Sequence, residues 1–290
     1  MKFKDKLKDS KFLITAELYP PKGTDTSAFL RRAASLKSAG AVDAVNVTDN
    51  QRASMRAGAL AMCSILLKNG IEPILQLTSR DRNRIALQTE LLSANILGVE
   101  NVLIISGDHP RFGEYPNVKM VYDLDTVQLI KTTQILESGY DLAGKKLNGI
   151  PKFCVGAAIN PSADPQELQI AMFRKKVLAG AEFFQTQIIF DILKFKGFFN
   201  RIKMKGIKVI AGVPLLTSPK FMGFLQSLPG VEIPKETQNR INSAADPLAE
   251  GIEICAQTIK ELRKFADGVH IIAIGKEEYI PTILKKSLEA

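Results

Sequence analysis

Short apolar runs alternate with helix-patterned segments eight times along the chain, and most of those segments stop at a glycine. Phe12–Tyr19, Ala44–Thr48, Pro73–Thr78, Asn101–Ser106, Phe153–Ile159, Phe183–Phe190, Lys208–Leu215 and Val269–Ile274 read as strands. Between and after them, helices are predicted over Thr26–Ala39, Ser54–Lys68, Arg82–Leu97, Asp125–Ser138, Pro165–Ala179, Ile192–Lys205, Pro219–Leu228, Pro247–Phe265 and Tyr279–Ser287. A Pro/Gly-containing detour separates Leu228 from Pro247. Continuous apolar runs such as Val102-Leu103-Ile104-Ile105 suit a parallel sheet covered on both faces. Eight β/α units in 290 residues match an α/β fold of the (β/α)8 TIM-barrel type, one catalytic domain over 1–290, better than an open doubly wound sheet. No G-x-G-x-x-G or Walker motif follows a strand, which argues against a Rossmann fold.

Composition narrows the function classes. The chain is 46% hydrophobic and 24% charged, as in a globular protein with a sizeable core. No stretch approaches a membrane span, and the segment after the basic N-terminus carries Glu17 rather than an apolar signal core, so no membrane association and a cytoplasmic location are expected. Cys63, Cys154 and Cys255 are too widely spaced for a zinc motif or a disulfide framework and read as inert buried thiols; only His109 and His270 add imidazoles, and no metal is expected. The net charge of +9 comes from lysines spread along the chain, without a nucleic-acid motif. A solvated surface accounts for it, with a bias toward an anionic ligand or acidic partner as the functional alternative.

In a barrel of this kind the chemistry sits at the carboxyl ends of the strands. Those ends carry Glu17, then Thr48-Asp49-Asn50-Gln51, Gln76 to Asp81, Ser106-Gly107-Asp108-His109, Asn160, Gln185 and Gln187, and Gly275-Lys276. Glu17 lies in an otherwise apolar strand just before Pro20-Pro21. A buried, unpaired carboxyl is driven toward its neutral form and serves as a general acid. The other reading is an acid paired with a base inside the fold. On strand six, Gln185, Gln187 and Ile189 share one face by alternation. Two amides there suit a flat heterocycle with donors and acceptors, or else satisfy each other within the barrel. Gly107 permits close approach of a ligand, and Asp108 after it is either a ligand for N–H groups or a simple Asx-turn.

Together these residues resemble a known family. Glu17 with Tyr19-Pro20-Pro21, Asn46-Val47-Thr48, Gln76 through Asn83, Ser106-Gly107-Asp108, Val121-Tyr122-Asp123, Lys175 through Ala181, and Gln185-Thr186-Gln187 with Phe190-Asp191 occur in the order and spacing of the methylenetetrahydrofolate reductase family. The resemblance runs from about residue 12 to 276. It implies a flavin-bearing barrel that reduces 5,10-methylenetetrahydrofolate to 5-methyltetrahydrofolate in one-carbon metabolism and methionine biosynthesis. It implies that Glu17 is the general acid that protonates folate N10, that Asp108 lies near pterin and flavin and tunes both, and that Gln187 binds the pterin, with Lys276 also on the substrate side. Thr48, Gln76, Gly107, Asp108, Tyr122, Ala158 and Lys176 fall on the flavin side, where a lysine suits the phosphates.

Some positions depart from the familiar bacterial pattern. Asp49 stands in place of a tyrosine, Gln76 of a histidine, Ser106 of an arginine, and Ala158-Ile159-Asn160-Pro161 of a Tyr-Pro-Glu stretch. The departures resemble a subgroup fused to homocysteine methyltransferase domains, or paired with a separate subunit in acetogenic bacteria. The resemblance therefore leaves FAD, FMN or direct NADH-linked reduction without flavin open, and NAD(P)H or a partner as electron donor. It also admits a folate-binding or electron-accepting subunit of a larger complex, and a homo- or hetero-oligomer. No nucleic-acid partner is expected.

Overall fold

The expected alternation closes on itself. In a computed structural model describing residues 2–9, 11–38, 40, 42–228 and 231–289, eight parallel strands form a closed barrel in sequence order. They are β1 (Leu13–Leu18), β2 (Ala44–Val47), β3 (Pro73–Thr78), β4 (Asn101–Ile105), β5 (Cys154–Ile159), β6 (Phe183–Ile188), β7 (Lys208–Pro214) and β8 (Gly268–Ile272). Closure is through β1 and β8, where Thr15 is in register with His270.

The helices run α1 (Phe3–Lys8), α2 (Ser27–Ser38), α3 (Ala59–Lys68), α4 (Arg84–Ile96), α5 (Thr126–Glu137), α6 (Gln166–Ala179), α7 (Ile192–Ile202), α8 (Pro219–Gln226), α9 (Lys235–Ser243), α10 (Pro247–Leu262) and α11 (Ile280–Lys286). Asn83, Asp191, Ser218 and Asp246 cap α4, α7, α8 and α10 with side-chain oxygens on the first free N–H groups. Asp125 and Gln128 form a reciprocal capping box on α5.

Several boundaries differ from expectation for identifiable reasons. The predicted helix over Ser54–Lys68 begins only at Ala59: after a turn in which Asn50, Arg52 and Ala53 adopt positive φ, Ser54 is extended and the N–H groups of Arg56 and Ala57 go to Asn50 Oδ1 and the Pro21 carbonyl instead of a helical turn. The detour before Pro247 contains α9, whose mean hydropathy is low and whose one buried contact is Ile241. The basic N-terminus is helical, with Phe3 and Leu7 buried. Ala39, the expected end of the second element's helix, lies outside the described residues.

Inward-facing side chains form layers along the barrel axis. At the amino end, Leu13, Ala44, Ile74, Leu103, Cys154, Phe183 and Ile210 form one apolar cluster with Phe3 and Leu7 of α1. The Phe3 ring meets Phe183 edge-on, centroids 5.3 Å apart, so α1 plugs the barrel from below. Phe183 fits because Gly156 faces it: a Cβ there would lie 2.3 Å from the ring. The larger apolar cluster fills the shell between sheet and helices. All three cysteines are buried, and burial raises each thiol, Cys255 to about 12. None is a nucleophile at neutral pH.

Candidate active site

Two residues along from the plug, alternation turns polar side chains inward: Thr15, Asn46, Gln185 and His270, all buried. Two residues further stand Glu17, Thr48 and Gln187, and with Gln76, two residues along from Ile74, they line a cavity of about 620 Å³ at the carboxyl ends of the strands. Its lining also includes Asp108, His109, Ala158, Asn160, Lys176, Arg52, Phe112, Phe224 and Leu228. Of the residues singled out from sequence, Glu17, Thr48, Gln76, Gly107, Asp108, Ala158, Lys176 and Gln187 come together there. Tyr122 sits behind Gly107, its hydroxyl 3.5 Å from the Gly107 carbonyl, and is not part of the lining. Lys276 also stays outside the lining; its ammonium lies over the Tyr279 ring at 5.8 Å.

Glu17 is neither enclosed nor unpaired. Its side chain is 14% exposed, and one carboxylate oxygen, Oε2, accepts from Gln76 Nε2 at 3.1 Å and faces His270 Nε2 at 3.5 Å. The Tyr19 hydroxyl also bonds to this carboxyl; burial first, then the Glu17 charge, raises that phenol well above its ordinary value near 10, so it stays a donor. The expectation of an isolated acid is therefore corrected: the acid is paired, with Gln76, His270 and Tyr19, which line the same cavity.

The glutamines of β6 part company. Gln185 is a satisfied interior group: its amide exchanges hydrogen bonds with Asn46, at 2.7 and 3.1 Å, and donates to Thr15 Oγ1 at 3.3 Å. Gln187 is exposed to the cavity. The simple alternation expected here fails after Gln185, because the pairing with β7 slips between Gln185 and Ile188. That bulge lets Thr186 Oγ1 accept from the Gly212 N–H at 2.9 Å and brings Thr186 and Ile188 to the cavity beside Gln187.

Asp108 makes no Asx-turn. Its carboxylate accepts the Arg52 N–H at 2.7 Å, tying the loop after β4 to the turn after β2. Behind both loops lies Arg80, 1% exposed, which sequence reasoning did not single out. Its guanidinium donates to the carbonyls of Asp108 at 2.9 Å and Asn50 at 3.0 Å, and grips Asp81 with two nitrogens at 2.6 and 2.7 Å. Asp49, the residue that departs from the family pattern, is held by Arg82 at 2.7 and 3.1 Å and accepts the Thr78 N–H at 2.9 Å. Both arginines lie in the Arg80-Asp81-Arg82 run; charge alternation just after a strand was the available signal.

Gly107, at φ +80°, lines the cavity, and a Cβ there would fall 2.2 Å from Thr78 Oγ1, outside the lining, so packing behind the wall requires the glycine. One feature fits an anionic cofactor. Lys176 reaches the wall with its ammonium on the Ala158 carbonyl at 2.7 Å, and burial lowers its pKa. Among the described residues, no group of three or more His, Cys, Asp or Glu side chains is placed to hold a metal ion, and no helix is long and apolar enough to cross a membrane.

A closed (β/α)8 barrel with a carboxyl group, amides and a half-buried lysine around a cavity at the strand ends has the architecture of a barrel that binds ligands there. The model of the family described as methylenetetrahydrofolate reductase matches residues 2–288, and the chain belongs to that family. It is 25% identical over 263 residues to methylenetetrahydrofolate reductase 2 of Schizosaccharomyces pombe, covering 80% of this chain and 39% of that protein. It is 23% identical over 289 residues to a probable methylenetetrahydrofolate reductase (NADPH) of Caenorhabditis elegans, covering 93% of this chain and 41% of that protein. The chain thus spans about two fifths of the length of these relatives. In fold it is similar to a solved Clostridium thermocellum protein that binds two copies of 5-methyl-5,6,7,8-tetrahydrofolic acid, with TM-score 0.67, 17% identity, and coverage of 98% of this chain and 97% of that one.

Proposed function

We propose that this barrel reduces 5,10-methylenetetrahydrofolate to 5-methyltetrahydrofolate, with a flavin as the hydride carrier. The observation that carries the reading is Glu17: a carboxyl at the carboxyl end of β1, gripped on Oε2 and open to the cavity. Family membership and the folate ligand of the Clostridium thermocellum neighbour support the substrate class.

Glu17 delivers a proton to N10 of the bound folate. The five-membered ring opens and leaves an iminium at N5, which accepts hydride to become the methyl group. Gln187 orients the pterin by its amide, and Asp108 holds its N–H groups. Thr48, Gln76, Gly107, Asp108, Tyr122, Ala158 and Lys176 are the residues we assign to the flavin side, with Lys176 toward its phosphates and Tyr122 supporting Gly107 from behind; Lys276 is assigned to the folate side outside the cavity lining. A reduced flavin, FAD or FMN, supplies hydride chemistry when bound. NAD(P)H is the electron donor in this reading, and the NADPH named for the Caenorhabditis elegans relative supports it.

The purified chain is expected to be yellow, to bleach with reductant and to regain colour on adding methylenetetrahydrofolate. A colourless chain that stays inactive with added FAD or FMN removes the flavin. Folate-dependent NADH oxidation by a colourless, flavin-free chain would instead establish direct hydride transfer. The second reading, a folate-binding subunit that receives electrons from a partner, is favoured by the Asp49–Arg82 pair, which occupies a flavin-side position with a closed ion pair. Reduction that appears only with a partner protein present would establish it.

A further inference from the structure

Beneath Glu17, the polar layer of the barrel is a connected chain across four strands. Asn46 of β2 and Gln185 of β6 exchange amide hydrogen bonds, and Gln185 Nε2 also donates to the Thr15 hydroxyl of β1 at 3.3 Å. Thr15 Oγ1 lies 3.0 Å from His270 Nδ1 of β8, and His270 Nε2 lies 3.5 Å from Glu17 Oε2. All four residues beneath Glu17 are buried. Satisfied apolar packing would close this layer at less desolvation cost, so the polar chain is directed toward something.

One arrangement of its protons runs through the chain from the far end. With Gln185 donating to the Thr15 oxygen, the Thr15 proton is free to go to His270 Nδ1. The imidazole proton then sits on Nε2, facing Glu17. The opposite tautomer would aim a nitrogen lone pair at Oε2 once Glu17 has given up its proton.

We infer that His270 is a positioning residue for Glu17, its Nε2–H fixed by Thr15, Gln185 and Asn46 so that it holds Oε2 and leaves Oε1 to face the ligand. At 3.5 Å the contact is longer than a hydrogen bond in the resting chain. It tightens when Glu17 has passed its proton to the ligand and negative charge collects on the carboxylate; Gln76 and Tyr19 are the other groups facing that charge. No bond to His270 breaks in this step. The inference rests on Glu17 being the proton donor.

The chain has only two histidines, His109 and His270, so ¹⁵N-histidine NMR of the full chain resolves the tautomer directly, with His270→Phe identifying the signal. A protonated Nε2 and a bare Nδ1 on His270 are expected, with that preference lost in Thr15→Val; a protonated Nδ1 overturns the assignment. In turnover, His270→Phe is expected to lower kcat for folate reduction about 10-fold or more, within the range of a positioned acid–base partner, with KM and donor oxidation unchanged. His270→Gln, whose amide reaches the Nε2 position, is expected to recover most of it. Equal loss in both half-reactions together with a lower melting temperature would leave His270 a structural role only. An inactive Glu17→Gln beside an unaffected His270→Phe removes His270 alone, whereas a fully active Glu17→Gln removes the proton-donor reading and this inference with it. If His270→Phe does not fold, Thr15→Val carries the same kcat and tautomer test with the imidazole in place.

Discussion

Gln76 Nε2 donates to Glu17 Oε2 across 3.1 Å, from β3 to β1 over the intervening strand β2. An amide at this position is a permanent donor, whereas an imidazole is not. It therefore favours the charged carboxylate left after proton delivery without competing for the proton. Glu17→Gln removes the proton and keeps the shape. Folate reduction is expected to fall by about 10²–10⁴-fold, the usual worth of a positioned acid, while oxidation of the electron donor stays within about 2-fold, too small a change to implicate the acid. Stopped-flow measurement of the two half-reactions separates them; equal loss in both would end the general-acid assignment.

Arg80 is the residue on which the loop geometry turns. It holds the carbonyls of Asn50 and Asp108 from beneath, and Asp108 in turn holds the Arg52 N–H. Arg80→Met strips the donors from two carbonyls and the cation from Asp81. A loss of about 2–4 kcal/mol is expected, below the full penalty for a buried pair because Asp81 keeps partial solvent access. Arg80→Lys should recover less than half, since a single ammonium does not span the same fork. Urea unfolding of the three chains measures this, and a raised KM for folate in Arg80→Lys would register the shifted Asp108 loop.

The barrel was legible because its signals are periodic. Apolar runs, glycine stops and caps such as Asp125 and Asn83 repeat at β/α spacing, and each is local. The floor of the site was legible for the same reason: the carboxyl end of a strand in a barrel places Glu17 and Thr48 on the ligand side without any knowledge of neighbours. What failed depends on contacts between distant segments. The bulge after Gln185 is set by pairing with β7, and the positive-φ turn at Asn50, Arg52 and Ala53 is held in place by Arg80 and Asp108. Whether Glu17 is isolated or paired depends on His270, 253 positions away in sequence and one strand away in space. No local pattern carries that information.

Gly107→Ala tests the close approach at the cavity wall. At φ +80° an alanine is strained, and its Cβ would meet Thr78 Oγ1 at 2.2 Å. Thr78 would have to leave the Ser106 carbonyl it now donates to at 2.9 Å. The expected cost is about 1–3 kcal/mol, and Thr78→Ala in the same chain should return part of it by removing the clashing oxygen. A thermal double-mutant cycle reads the coupling; purely additive effects would mean that the two atoms do not meet.

Asp123 gives the chain an acid-sensitive tie between α4 and the loop after β4. Hydrogen bonds from the Arg84 side chain and backbone pull its carboxyl down to about 2. Because the folded value is depressed, the contribution is complete above the ordinary carboxylate range and disappears as pH falls through about 4 to 2. Asp123→Asn should melt lower than the parent at neutral pH, by a small margin because the pair is exposed to solvent. The two melting temperatures should converge near pH 2, and a gap that persists there would point to a cause other than this ionisation.

Lys176 couples stability to cofactor binding in opposite senses. Burial lowers its pKa from the ordinary 10.5, with Asp125 opposing, so the ammonium costs the resting chain stability. The unfolded chain binds that proton more tightly, so stability rises as pH climbs through the lowered folded value and levels off above 10.5. Lys176→Met should therefore raise the melting temperature of the cofactor-free chain at pH 7, with the gain shrinking toward alkaline pH. The same variant should bind FAD or FMN about 10-fold more weakly, the loss of one charge-assisted hydrogen bond to phosphate, and the wild-type advantage should fall with added salt. Melting curves with and without flavin over a pH series measure both effects. A variant that melts lower without flavin, or binds flavin as tightly as the parent, would place Lys176 in the packing of α6 on β5 rather than at the phosphate end of the site.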